Sequence, residues 1–341
     1  MPTRSILAAL PLVLFAGGCW QQGSHAFPTT DDVRIAKSDA DVDREASTGQ
    51  KGGEYGDVYA LGMQTAHEVN GWIAEGVDSA GRIIRVVELL PPSSTDGDFD
   101  VFGPYYDLET DRSWLVRIAG DEDDSHFEIL VGAGRAKASE MSELLDGEIT
   151  IDGDVRSGVF AMNFDTVEQH DLKRGPDRDR TYAGSLEIRF ERDTSSAHKI
   201  VEIVYDDFEV TQTEPIKEYF SADMYTFRRN ADGAGEFVFS LVSTFQAQVW
   251  SGPARERMSL ELQWNARGAG RGREEIAALE DGEGDLAHGD IVLEECFDED
   301  GYFTWRMLNE AYAAAIPGYG AGDRSSCVAL DESLPSFASR R

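Results

Sequence analysis

The chain is poor in cysteine, histidine and lysine. Of 341 residues, 3 are Cys and 6 are His. Lysine is confined to Lys37, Lys51, Lys137, Lys173, Lys199 and Lys217. Against 31 Lys+Arg stand 64 Asp+Glu, a formal net charge of −33. That deficit of positive charge excludes a nucleic-acid partner gripped by a basic surface, and it opposes electrostatic docking on anionic lipid. His25, His67, His126, His170, His198 and His288 are dispersed, with no two at ligand spacing. No Gly-x-Ser-x-Gly elbow occurs, and no fixed-period repeat suggests a propeller.

What is present is a chain able to fold. Hydrophobic residues make up 41% and aromatics 10%, enough for a sizeable core in one large domain or two ordinary ones. The first residues read as an export signal: Arg4 is the positive end and Ile6 to Phe15 the short apolar stretch. At about ten residues that stretch is too short for a membrane-spanning helix. Ala16-Gly17-Gly18-Cys19 follows, small residues before a cysteine, as in the bacterial lipobox. Residues 1–18 are thus predicted to be a lipoprotein signal peptide, with Cys19 lipidated and the membrane reached through that N-terminal lipid. An ordinary secretory signal containing a cysteine is the alternative. Cys296 and Cys327 remain, and an exported chain with one leftover pair predicts a disulfide.

Residues 19–56 carry no apolar periodicity and read as a flexible tether. From Asp57 onward Val58, Leu61, Val69, Trp72, Ile73, Val77, Ile84 and Leu90 recur at threes and fours, predicting an amphipathic helix over 57–90. Asp57 is its expected N-cap, and Pro91-Pro92 its stop. Beyond it come runs of period 2: 99–106, 113–120, 125–132, 147–152, 158–165, 180–192, 198–210, 219–229, 235–250, 258–265 and 290–297. A short helix is expected over 136–145. Strands in succession with short turns exclude a doubly wound α/β fold. The predicted class is α+β, mostly β: a large curved antiparallel meander, half-barrel-like, packed on one long N-terminal helix. A single β-rich domain over 57–330 and a tail over 331–341 complete the expectation.

The catalytic templates fail on inspection. His67-Glu68 opens a zinc-protease motif, but Gly71 stands where the second His belongs. Ser196-Ala197-His198-Lys199 matches Ser-x-x-Lys only in a predicted turn. Gly268-Ala269-Gly270-Arg271-Gly272 lacks a βαβ setting and reads as a turn or bulge. Acidic clusters are the recurring signal. Asp96, Asp98 and Asp100 alternate as in a calcium loop, making Ca2+ the one candidate cofactor, though Val101 stands at the glycine position. Asp121-Glu122-Asp123-Asp124, Asp281 to Asp285 and Asp298 to Gly301 offer further oxygen ligands.

Several landmarks in order resemble a family of uncharacterised predicted lipoproteins of Gram-negative bacteria. They are Cys19, the helix with Val69-Asn70-Gly71, Pro91-Pro92 before Gly103-Pro104-Tyr105, Trp264 before Gly268-Ala269-Gly270-Arg271, and Glu295-Cys296-Phe297-Asp298 before Cys327. The resemblance implies a cell-envelope address, lipid-anchored at the outer membrane and facing the periplasm or the exterior, and it implies no activity. Three functions stay open. The first is a carrier holding an apolar ligand between sheet and helix, with Val69, Trp72, Ile73 and Val77 as the helix wall. The second is a structural or interaction lipoprotein with a solid core, partnered by an envelope protein. The third is a hydrolase whose site has no sequence signature.

Overall fold

Alternation of apolar and polar residues sets up strands because successive side chains point to opposite faces of a sheet. In the computed structural model, residues 25–35, 56–173, 180–212, 218–246, 253–279, 286, 289–315 and 319–328 are described. Within α2, defined below, the side chains at 68, 71–76, 78 and 79 lie outside that description. Among the described residues the protein is mostly β, with fifteen strands. They are β1 (Ser94–Asp96), β2 (Phe99–Asp107), β3 (Arg112–Gly120), β4 (Asp124–Ala133), β5 (Ser142–Asp152), β6 (Val155–Asn163), β7 (Arg180–Asp193) and β8 (Lys199–Gln212). They continue as β9 (Glu218–Arg229), β10 (Gly235–Gln246), β11 (Pro253–Trp264), β12 (Gly270–Ala278), β13 (Ile291–Phe297), β14 (Phe303–Leu308) and β15 (Ala321–Gly322). Each hydrogen-bonds only to its neighbours in sequence. The α-helices are α1 (Thr30–Val33), α2 (Asp57–Val87), α3 (Phe164–Gln169) and α4 (Glu310–Ala315).

Where one β-rich domain is expected over 57–330, the chain divides into two compact units. The first holds the described residues within 25–34, 70–194 and 203–212; the second holds those within 35–69, 195–202 and 218–328. In the first unit, cross-strand rows build an apolar face. Ile118, Phe127, Gly147, Phe160 and Ile188 form one row; Val116, Ile129, Leu145, Met162 and Leu186 form the next. All are buried. Gly147 is required there, since a Cβ would strike the Phe127 ring. Val77, Ala80, Ile84 and Val87 of α2 are buried at spacings of three and four, one helical stripe.

In the second unit the corresponding face runs across β9 to β14. Phe227, Phe237, Leu262, Gly272 and Glu295 form one row, and Tyr225, Phe239, Leu260, Glu274 and Leu293 the next. The first turns of α2 meet this face: the Tyr59 and Phe297 rings lie 4.9 Å apart, and a Cβ on Gly62 would collide with Leu262. Gly272 lies against Leu262 and Val58. The glycines of the Gly268–Gly272 run therefore serve packing: Asn265 to Gly268 make the hairpin turn, and Gly270 opens β12 beneath Phe297.

Three expectations need correction. Residues 25–34, read as part of a tether, pack into the first unit. Ala26, Asp32 and Val33 are buried, and Phe27 lies 4.8 Å from Phe127, ring to ring. The segment lacks apolar period because it is held by single side chains and polar bonds rather than by a helical or sheet face. The helix expected over 136–145 is a three-residue 3-10 turn, Ala138–Glu140, followed by β5. Pairing to β4 and β6 overrides local helix propensity there. Finally, Asp57 is the first residue of α2 rather than its N-cap.

Candidate functional site

The start of α2 draws together the most unusual chemistry in the second unit. A helix N-terminus leaves backbone N–H groups without partners. Here they are met by a carboxyl group from β13: the Tyr59 N–H donates to Glu295 Oε1 at 2.6 Å. Glu295 is only 1% exposed. Gly56, just before the helix, leaves the space this carboxyl occupies, since a Cβ there would collide with it. Glu295 pairs in register with Gly272 on β12 and Arg306 on β14. The sheet thus supplies the capping group that a side chain at the helix start usually provides.

Asp57 is free of the capping task and binds outward. Its Oδ2 accepts from Arg306 Nη1 at 3.2 Å and from the Tyr319 hydroxyl. Arg306 Nε donates to the Tyr319 carbonyl at 3.3 Å, and its guanidinium lies 4.3 Å from the Phe303 ring centre and 4.8 Å from that of Tyr319. Such stacking suits the planar, weakly hydrated guanidinium. The segment bearing Tyr319 is also tied to β13 by Cys296–Cys327, whose sulfurs are at bonding distance, 2.07 Å. The disulfide expected from the sequence is therefore present.

Burial raises two carboxyl groups here toward neutrality. For Glu295, loss of water pushes the carboxyl up to about 7; the N–H groups of Tyr59, Val58 and Asp57 pull the other way, and the Asp57 charge pushes upward. For Glu274, burial and then the Asp57 charge push the carboxyl up to about 7. Burial and the Asp57 hydrogen bond raise the Tyr319 phenol. The arrangement can store protons near neutral pH and clamp a helix start. Glu295 Oε1 is committed to the helix backbone, which suits a clamp, while Oε2 is buried with no hydrogen-bond partner among the described residues.

Beside the clamp lies an apolar pocket lined by residues that include Tyr59, Met63, Phe227, Leu262, Trp264 and Phe297. Its free volume is about 20 Å³. A ligand pocket ordinarily has several hundred cubic ångströms.

The sequence-derived candidates are scattered. Cys19 and the signal segment lie outside the described residues, as does Asp281 to Asp285. Of the expected helix wall, Val77 is buried in the first unit and Val69 is half-buried in the second; the side chains of Trp72 and Ile73 lie outside the description. Asp96, Asp98 and Asp100 do not form a calcium loop. Asp96 pairs in register with Phe99, so Gly97 and Asp98 make a two-residue hairpin turn, and Asp100 faces Thr95. Asp96 is taken by Arg117 at 2.8 Å. Among the described residues, no three His, Cys, Asp or Glu side chains gather as metal ligands would. Also among them, no helix is long and apolar enough to cross a membrane, which leaves membrane-crossing strands unaddressed. Glu274, Glu295, Arg306 and Tyr319 escaped the sequence reading; the one available signal was a charged residue at an apolar-phase position of a strand. No protein-family model, curated protein or solved structure matches the chain.

Proposed function

We propose that this protein is an exported lipoprotein of the cell envelope, anchored through Cys19 at the outer membrane, and that it works as a solid interaction module. Its partner in this reading is another envelope protein. What favours this over a carrier is local to the helix start, where the pocket lined by Tyr59, Met63 and their described neighbours in the second unit leaves about 20 Å³. The hydrolase reading gains two carboxyl groups near neutrality, but one of them has an oxygen taken by the helix backbone. The order of landmarks that resembles predicted Gram-negative lipoproteins supports the address, and the −33 charge suits a body standing off an anionic surface.

Native mass spectrometry of the full-length protein, purified from the membrane of its own host, tests this reading. The expected mass begins at Cys19, carries acyl chains, lacks two hydrogens for the disulfide and holds no further small molecule. A non-covalent mass lost on denaturation would restore the carrier. An unlipidated chain cut elsewhere would remove the anchor.

A further inference from the structure

We infer that the first unit is held close to the lipid surface, with its β3–β4 turn as the membrane-facing end. The inference rests on the reading of Cys19 as lipidated and goes beyond it by assigning orientation and reach.

His25 Nδ1 lies 2.6 Å from Glu88 Oε1. Ala26 donates its N–H to the Asp121 carbonyl at 2.9 Å, and its own carbonyl accepts from the Ser125 hydroxyl. The chain is therefore fixed beside the turn joining β3 and β4. Further along, Asp32 is fully buried and accepts from Arg156 Nε at 3.0 and 3.1 Å, and Arg156 Nη2 also donates to the Phe27 carbonyl at 3.0 Å. A segment secured at so many points is a strap rather than a spacer.

Between Cys19 and His25 the chain advances six residues. Even fully extended, six residues reach only about 20 Å. A lipid on Cys19 then keeps the Asp121–Asp124 turn within that reach of the surface. A 38-residue tether, as the sequence suggests, would let the unit roam much farther. The opposite end of the same strand is the β2–β3 turn around Glu109. β3 has 9 residues, which at about 3.4 Å each separates its two ends by roughly 30 Å. The membrane-facing turn is acidic and exposed, and the Asp121 carboxyl is held charged by the N–H groups of Asp123 and Asp124. Proximity is thus set by covalent reach, with electrostatics keeping a water gap above an anionic headgroup layer.

The test places a fluorophore at Glu122→Cys or at Glu109→Cys of the full-length lipidated protein. The disulfide and the lipid leave the new thiol as the selective label. Energy transfer to headgroup-labelled acceptors is read in vesicles of phosphatidylethanolamine and phosphatidylglycerol. Transfer several-fold higher from position 122 than from 109 is expected. Inserting about thirty Gly/Ser residues before His25, with an end-to-end distance near 30 Å, should cut the transfer from 122 and shrink the difference. Equal transfer from both positions, or more from 109, in a protein whose mass shows the lipid would overturn the orientation while sparing the anchor. A mass without lipid would remove the anchor and the orientation with it.

Discussion

Glu295 couples the second unit to pH. Its carboxyl, and that of Glu274, ionise in the fold near 7 instead of near the ordinary 4.5. The folded state therefore holds protons that the unfolded chain has already released between those values. Stability from these groups is complete below about 4.5 and is lost as pH rises toward about 7, by on the order of 3 kcal/mol per carboxyl at most. Thermal melts across that range should show a falling midpoint for the second unit. Glu295→Gln keeps an oxygen for the Tyr59 N–H and should flatten the profile; a slope unchanged in both Glu295→Gln and Glu274→Gln would refute the assignment. Asp32 is the counterpart in the first unit. Asp32→Ala leaves Arg156 without its buried carboxylate and should cost about 3–5 kcal/mol, with faster amide exchange across 25–34 as the local readout. Neither residue was legible in the sequence. Asp32 is one acid among several in a polar stretch and Glu295 one of two adjacent glutamates in an apolar strand, and their partners stand more than a hundred positions away. The cysteine pair was legible, because counting alone leaves one partner for each thiol once Cys19 is set aside.

At the scale of elements, most strands were visible because one face is buried and the other wet, which writes period 2 into the sequence. β1, β12, β14 and β15 were not visible. β12 carries Gly270, Gly272 and a run of Arg and Glu, and its glycines are spaces for Phe297, Leu262 and Val58 rather than a turn signal. Replacing Gly272 with Val should therefore destabilise the second unit by about 1–3 kcal/mol through overpacking, measured by urea unfolding. The Asp96–Asp100 alternation misled for a related reason: a two-residue hairpin places alternate acids on different strands, so they diverge. The C-terminal segment around Tyr319 owes its place to the disulfide and to Asp57 and Arg306. The bridge closes a span of 31 residues, which in the chain-entropy account is worth roughly 3–4 kcal/mol. Cys327→Ser, or reduction of the native protein, should lower second-unit stability by about that amount. A loss well under 1 kcal/mol would mean the polar contacts hold the segment unaided.

For the molecule as a whole, charge is the dominant fact the composition supplies. With −33 spread over 341 residues, repulsion opposes compaction at low ionic strength. Raising salt from about 0.01 M to about 0.5 M shortens the screening length from roughly 30 Å to a few ångströms. The melting midpoint should climb by several degrees; a midpoint that falls would mean attractive surface pairs outweigh the repulsion. The coarse fold class, a mostly-β antiparallel meander, was legible at this scale, since strands following one another with short turns admit few plans. The division into two units was not, because no composition shift or linker marks it. Function was the least legible, because no catalytic template in the sequence fits and a binding surface would carry no fixed residue spacing. The order of pairing has one more consequence. Among the described residues every strand bonds only to its neighbours along the chain, so no strand must wait for a distant segment before it can be enrolled. A polypeptide emerging N-terminus first can add each hairpin to those already laid down, so that folding keeps pace with emergence.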